Sequence, residues 1–107
     1  MPGYGRGQRR RGRCRGRRWI EQIPETTYFK PNTSQPSIPN TIVLTIEEIE
    51  ALRLVDLEDL TQEEAAAVMG VSRKTLWTDL HRARKKVVDA LVHGYAIRIH
   101  GGEYIQR

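Results

Sequence analysis

The stretch Leu60 to Val71, LTQEEAAAVMGV, constrains this chain more than any other: it spells a helix with a start and a stop, and a second start follows at once. Thr61 suits an N-cap, and Glu64 three residues on can return a hydrogen bond to the cap's own N–H, completing a capping box. Ala65, Ala66, Val68 and Met69 continue a short helix whose small residues let a neighbour approach. Gly70 falls where the chain must turn through left-handed dihedrals. Val71 plugs the turn and Ser72 caps a second helix, expected from Arg73 to about His93, with Gly94 as its stop. At roughly 100° per residue, Leu76, Leu80, Ala83, Val87 and Leu91 share a core stripe. Lys74, Thr78, His81, Arg82, Lys85 and Asp89 lie opposite. A cationic, hydrogen-bonding face suits a helix in a DNA major groove; on charge alone, a solvated face of a plain bundle helix is the commoner case.

Charge is arranged in blocks. Residues 1–18 carry eight arginines and no acid, residues 19–72 two basic and ten acidic side chains, and residues 73–107 eight basic and three acidic, for a net charge of +5. Two cationic blocks around an acidic one point to a polyanion partner, most economically DNA or RNA. At 107 residues the chain fits one small domain with little room for a buried active site. One cysteine, Cys14, excludes an intrachain disulfide and a multi-cysteine zinc site. No apolar run is long enough to span a membrane, and arginines and glycines stand where a secretory signal would be apolar. A cytoplasmic protein without metal or cofactor is expected.

In chain order, residues 1–18 read as a disordered Gly/Arg-rich arm. Its arginines (Arg6, Arg9, Arg10, Arg11, Arg13, Arg15, Arg17 and Arg18) are candidates for nucleic-acid contact. Residues 19–40 read as an extended strap and linker: Thr26 to Phe29 has strand composition, and NTSQPSIPN is a proline-punctuated link. Residues 41–107 form the expected domain. There Thr45 and Glu48 make another capping box, and Arg53 among acids suggests an intramolecular ion pair. The Glu47/Glu48/Glu50 cluster reads as a solvated helix face. Trp77 is expected on the flank of the second helix, packed on the C-terminal segment or touching DNA. Tyr95 to Ile99 alternates like a half-buried strand, and Gly101-Gly102 suits a two-residue hairpin turn. The hairpin would act as a wing, with Arg98 facing phosphate.

The segments TYFKP (Thr27 to Pro31), VLTIEEIEALRLVDLEDLTQEEAAAVMGVSRKTL (Val43 to Leu76) and ALVHGYAIRIHGGEY (Ala90 to Tyr104) resemble those of the UPF0251 (DUF134) family, a group of predicted DNA-binding proteins. The resemblance implies a helix-turn-helix similar to sigma-factor region 4. It carries Arg73, Lys74, Thr75, Trp77 and Thr78 over as the start of a recognition helix. Many members carry a cysteine shortly before the proline of the first segment, where this chain has WIEQIP and Cys14 lies well upstream.

The expected fold is therefore mainly α. It has a helix-turn-helix three-helix core, sigma region 4-like or winged-helix-like, a small C-terminal β-hairpin and a disordered basic arm. The expected function is sequence-specific binding of double-stranded DNA as a transcriptional regulator. Ser72, Arg73, Lys74, Thr75, Trp77, Thr78, His81, Arg82, Lys85 and Arg98 are the contact candidates. RNA binding through the arm, or a sigma-like adaptor on RNA polymerase, remains open, as does a two-fold homodimer. No nucleophile–base pair, metal constellation or phosphate loop suggests an enzyme.

Overall fold

Helix boundaries follow the capping chemistry. In a computed structural model of the protein, which describes residues 17–33 and 39–107, helix α1 (Ile46–Leu52) opens at Thr45. The Thr45 hydroxyl accepts from Glu48 N at 3.3 Å while the Glu48 carboxylate accepts from Thr45 N at 2.9 Å. Helix α2 (Gln62–Met69) repeats the device with Thr61 and Glu64, at 3.1 and 2.9 Å, and stops at Gly70 with φ +67°. Helix α3 (Arg73–His93) starts with the Ser72 hydroxyl accepting from Thr75 N at 3.1 Å and ends at Gly94, φ +70°. Between α1 and α2 the helix widens into a π-helical segment, Arg53–Leu57, closed by Glu58 N on the Arg53 carbonyl at 2.8 Å. The arm arginines Arg6, Arg9, Arg10, Arg11, Arg13 and Arg15, together with Cys14 and residues 34–38 of the expected linker, lie outside the described residues.

The strands overturn the expected mainly α fold, a sigma region 4-like or winged-helix-like helix-turn-helix core of three helices with a C-terminal hairpin. Strands occur at both ends of the chain and form two sheets. In one, β1 (Arg18–Ile20) runs parallel to β5 (Tyr104–Gln106), with Trp19 opposite Ile105. In the other, β4 (Ala96–Ile99) is central, antiparallel to β2 (Tyr28–Phe29) and parallel to β3 (Thr41–Leu44). β4 and β5 therefore do not pair, and no wing forms among the described residues. The reason lies at the start of α1, where backbone amides lack helical partners. The Gly101 carbonyl accepts from Ile46 N at 3.0 Å, and the Glu47 carboxylate accepts from Glu103 N at 3.2 Å. Gly101 and Gly102 take φ of +74° and +114° to pass over that helix end, and a Cβ on Gly102 would collide with the Glu47 carboxylate. The two glycines thus cap a helix instead of closing a hairpin.

Ile20, Leu44, Ile46, Leu54, Ala65, Met69, Leu76, Leu80, Ala83 and Ile99 make one core drawn from both sheets and all three helices. Ile20 is fully buried there, so the segment expected as an outer strap contributes to the interior. Leu91, expected in the core stripe, is instead 76 % exposed, because the covered side of the last α3 turns is centred on Ala90.

The acids of α1 are not a solvated face. Glu48 and Glu50 are each 1 % exposed. Glu50 accepts from Glu21 N and from two nitrogens of Arg53, and Glu48 accepts from Lys86 Nζ at 2.7 Å. Arg53 also reaches Glu21 and Glu58, and the Glu50 hydrogen bond above all raises its pKa further. Burial of ionised groups at this depth is tolerated only because each meets a partner.

Candidate nucleic-acid interface

The exposed side of α3 is shaped by which cations the fold keeps for itself. Arg84 forms a two-bond ion pair with Asp56, at 2.7 and 3.1 Å, across to the π-helical segment. Lys86 is tied to Glu48 and the Val43 carbonyl. Arg82 leans inward, 3.9 Å from both Glu48 and Asp79. Its guanidinium lies near the Glu48 Oε2 atom, which is buried and accepts no hydrogen bond. That leaves Arg73, Lys74 and Lys85, exposed and without an ion pair among the described residues.

Between these cations stand hydrogen-bonding and aromatic groups. Trp77 is half exposed and stacks on His81, with 4.0 Å between ring centroids and 26° between planes. Its partner is thus one turn further along α3. Thr78 and His81 bond to the carbonyls of Lys74 and Trp77 within the helix. Ser72 and Thr75 are joined hydroxyl to hydroxyl at 3.0 Å beside the helix start. No acid occupies the first turn of α3. The amides of Arg73 and Lys74 precede the first helical bond, Leu76 N to Ser72 O, so the positive end of the dipole is open.

Ser72, Arg73, Lys74, Thr75, Trp77, Thr78, His81 and Lys85 are therefore brought together on or beside one face. Arg98 is not part of it. It stands on β4, its guanidinium 4.5 Å from the centroid of Tyr28. Arg18, expected in the free arm, is also withdrawn: it lies in β1 and donates to both Asp79 oxygens, at 3.0 and 3.1 Å.

Sequence reasoning missed the residues that hold this face in place. Asp79, 1 % exposed, faces the core side of α3 and fastens β1 to it. Trp19 packs on the α2–α3 turn so closely that a Cβ on Gly70 would stand 2.8 Å from its ring. Arg107 lies over the same indole, 4.2 Å from a ring centroid. An acid among the cations of a helix was the one visible signal for Asp79; the Trp19–Gly70 contact left none.

The chain matches the family described as "Protein of unknown function DUF134" over residues 8–107. It is 52 % identical over 98 residues to a UPF0251 protein of Methanosarcina acetivorans, covering 88 % of each. It is also 54 % identical over 91 residues to one of Methanosarcina mazei, covering 85 % of this chain and 54 % of that protein. A third, from Thermoanaerobacter pseudethanolicus, is 51 % identical over 87 residues, covering 81 % and 74 %. The chain thus spans nearly all of one curated relative and about half the length of others. No solved structure matches it. Among the described residues, no helix is long and apolar enough to cross a membrane.

Proposed function

Since the chain belongs to the DUF134 family, whose description names no activity, its function has to be read from the site, and we propose that it binds double-stranded DNA through the exposed face of α3 as a transcriptional regulator. One observation carries the reading: Arg73, Lys74 and Lys85 remain uncommitted on the face that also presents Trp77, Thr78 and His81. A solvated bundle helix has no reason to keep its unpaired cations and its exposed aromatic ring together.

α3 enters the major groove with its exposed face. The open amides at its start and the Arg73 and Lys74 side chains meet phosphate, as free N–H groups and the dipole favour anions there. Lys85 holds the backbone further along, and Trp77, Thr78 and His81 face base edges. Arg82 and Arg98 are outlying contributors, each turned toward a partner within the fold.

Selection from a random duplex pool at near-physiological salt tests this. The full-length protein is expected to enrich one motif, and Lys74→Ala is expected to bind that motif more weakly. A pool that leaves no motif enriched overturns the reading.

A further inference from the structure

Two side chains on the α3 face have their outward chemistry set by bonds made within the helix. The Thr78 hydroxyl lies 3.1 Å from the Lys74 carbonyl oxygen, and His81 Nδ1 lies 3.0 Å from the Trp77 carbonyl oxygen. A carbonyl oxygen only accepts, so Thr78 has already donated its single proton, and Nδ1 bears the hydrogen of the neutral His81 ring. What remains outward is a lone pair on Thr78 Oγ1 and another on His81 Nε2. The stack on Trp77 keeps the imidazole in this attitude. Residues three apart are neighbours on a helix surface, so the two acceptors stand side by side among the cations.

Lone-pair acceptors repel phosphate oxygens and need N–H donors. On the major-groove edge, adenine N6 and cytosine N4 supply such donors, while guanine offers N7 and O6 and thymine O4, all acceptors. We propose that Thr78 and His81 read the exocyclic amino group of adenine or cytosine, while Arg73, Lys74 and Lys85 hold the backbone. The inference rests on the reading of α3 as a duplex-binding helix. It adds to that reading the kind of base group that Thr78 and His81 meet, a hydrogen-bond donor.

The test uses the full-length protein at near-neutral pH beside His81→Phe and His81→Gln. Phenylalanine keeps a ring on Trp77 but has no acceptor, and glutamine keeps an acceptor without the ring. Pool selection with the unsubstituted protein is expected to give a motif with an adenine or cytosine that His81→Phe no longer selects and His81→Gln still does. Replacing that base's amino group by hydrogen is expected to weaken binding of the unsubstituted protein about 3- to 10-fold, the worth of one neutral hydrogen bond, and to weaken His81→Phe, which keeps the Thr78 acceptor alone, by less. If His81→Phe keeps the whole motif, or loss of the amino group costs nothing, the inference falls while duplex binding by α3 stands. If no motif is enriched at all, both fall.

Discussion

Removing Arg18 should destabilise the protein more than neutralising its partner, Asp79. The Asp79 side chain is 1 % exposed and the Arg18 side chain 17 %, so only the arginine has a route to water. In Asp79→Asn the guanidinium keeps its route to water and the asparagine keeps part of the hydrogen bonding, for a cost of about 1–2 kcal/mol, toward the lower end for a bond to a charged group. In Arg18→Met the carboxylate stays in the interior, its nearest remaining cation Arg82 at 3.9 Å. Breaking a buried pair from that side costs about 3–5 kcal/mol; partial exposure of the pair places this case near the lower figure.

Urea unfolding followed by circular dichroism measures the difference. With a slope of about 1.5 kcal/mol per M, Arg18→Met should lower the midpoint by roughly 2 M and Asp79→Asn by about 1 M. The double variant Arg18→Met/Asp79→Leu should recover most of the loss, because replacing both members removes the stranded charge. Equal midpoint shifts for the two single variants, or a double variant no better than Arg18→Met, would refute the reasoning: β1 would then be held by its backbone pairing with β5 and not by the ion pair.

Three further outcomes follow from the same contacts. Lys74→Ala and Lys85→Ala should each lower the salt dependence of DNA binding by about one phosphate contact, while Lys86→Ala, whose ammonium is tied to Glu48, leaves that slope unchanged in titrations at several salt concentrations. Gly70→Ala should lower stability by about 1–2 kcal/mol in thermal unfolding, since φ +67° is strained for alanine and its Cβ meets the Trp19 ring. The hydrogen bond from Arg84 above all holds the Asp56 carboxyl below its ordinary pKa. The folded value being the lower one, the pair's stabilisation is complete above about pH 4 and is lost as pH falls through the folded pKa. Asp56→Asn should therefore flatten the acid limb of a stability–pH profile.

What was legible in the chain was what depends on neighbours in sequence. The caps at Thr45, Thr61 and Ser72 and the stops at Gly70 and Gly94 are settled within a few residues, so α1, α2 and α3 begin and α3 ends where the residue types say. The pairing of the strands was hidden for the opposite reason. Strand composition at Thr26 to Phe29 and alternation at Tyr95 to Ile99 marked β2 and β4, but the partners lie far away, β1 with β5 and β3 with β4, and nothing local to a run of two to four residues names its partner. Gly101-Gly102 misled because two glycines fit a hairpin and a passage over a helix end equally well; Glu47, more than fifty residues earlier, decides between them. The same distance conceals why Glu48 and Glu50 are buried, their partners coming from Lys86 and from the chain at Glu21.

That allocation of charge is also what makes the α3 face more than a count of basic residues. Of the six arginines and lysines between Arg73 and Lys86, the pattern alone would spread the positive potential around the helix. The fold instead sets acids against the flanks of that face: Asp56 takes Arg84 at one edge, Glu48 takes Lys86 beyond the other, and Arg82 is drawn toward Glu48 and Asp79. Neutralisation at the flanks leaves Arg73, Lys74 and Lys85 as the field between them, and a few uncompensated charges on one face attract a polyanion more selectively than many paired ones. An acid-to-amide change at Glu48 would therefore act on binding without touching the ligand, by releasing Lys86 and weakening the inward pull on Arg82. The expected sign is a steeper salt dependence and tighter sequence-independent binding, with the enriched motif unaltered, since neither cation faces the base edges that Thr78 and His81 address.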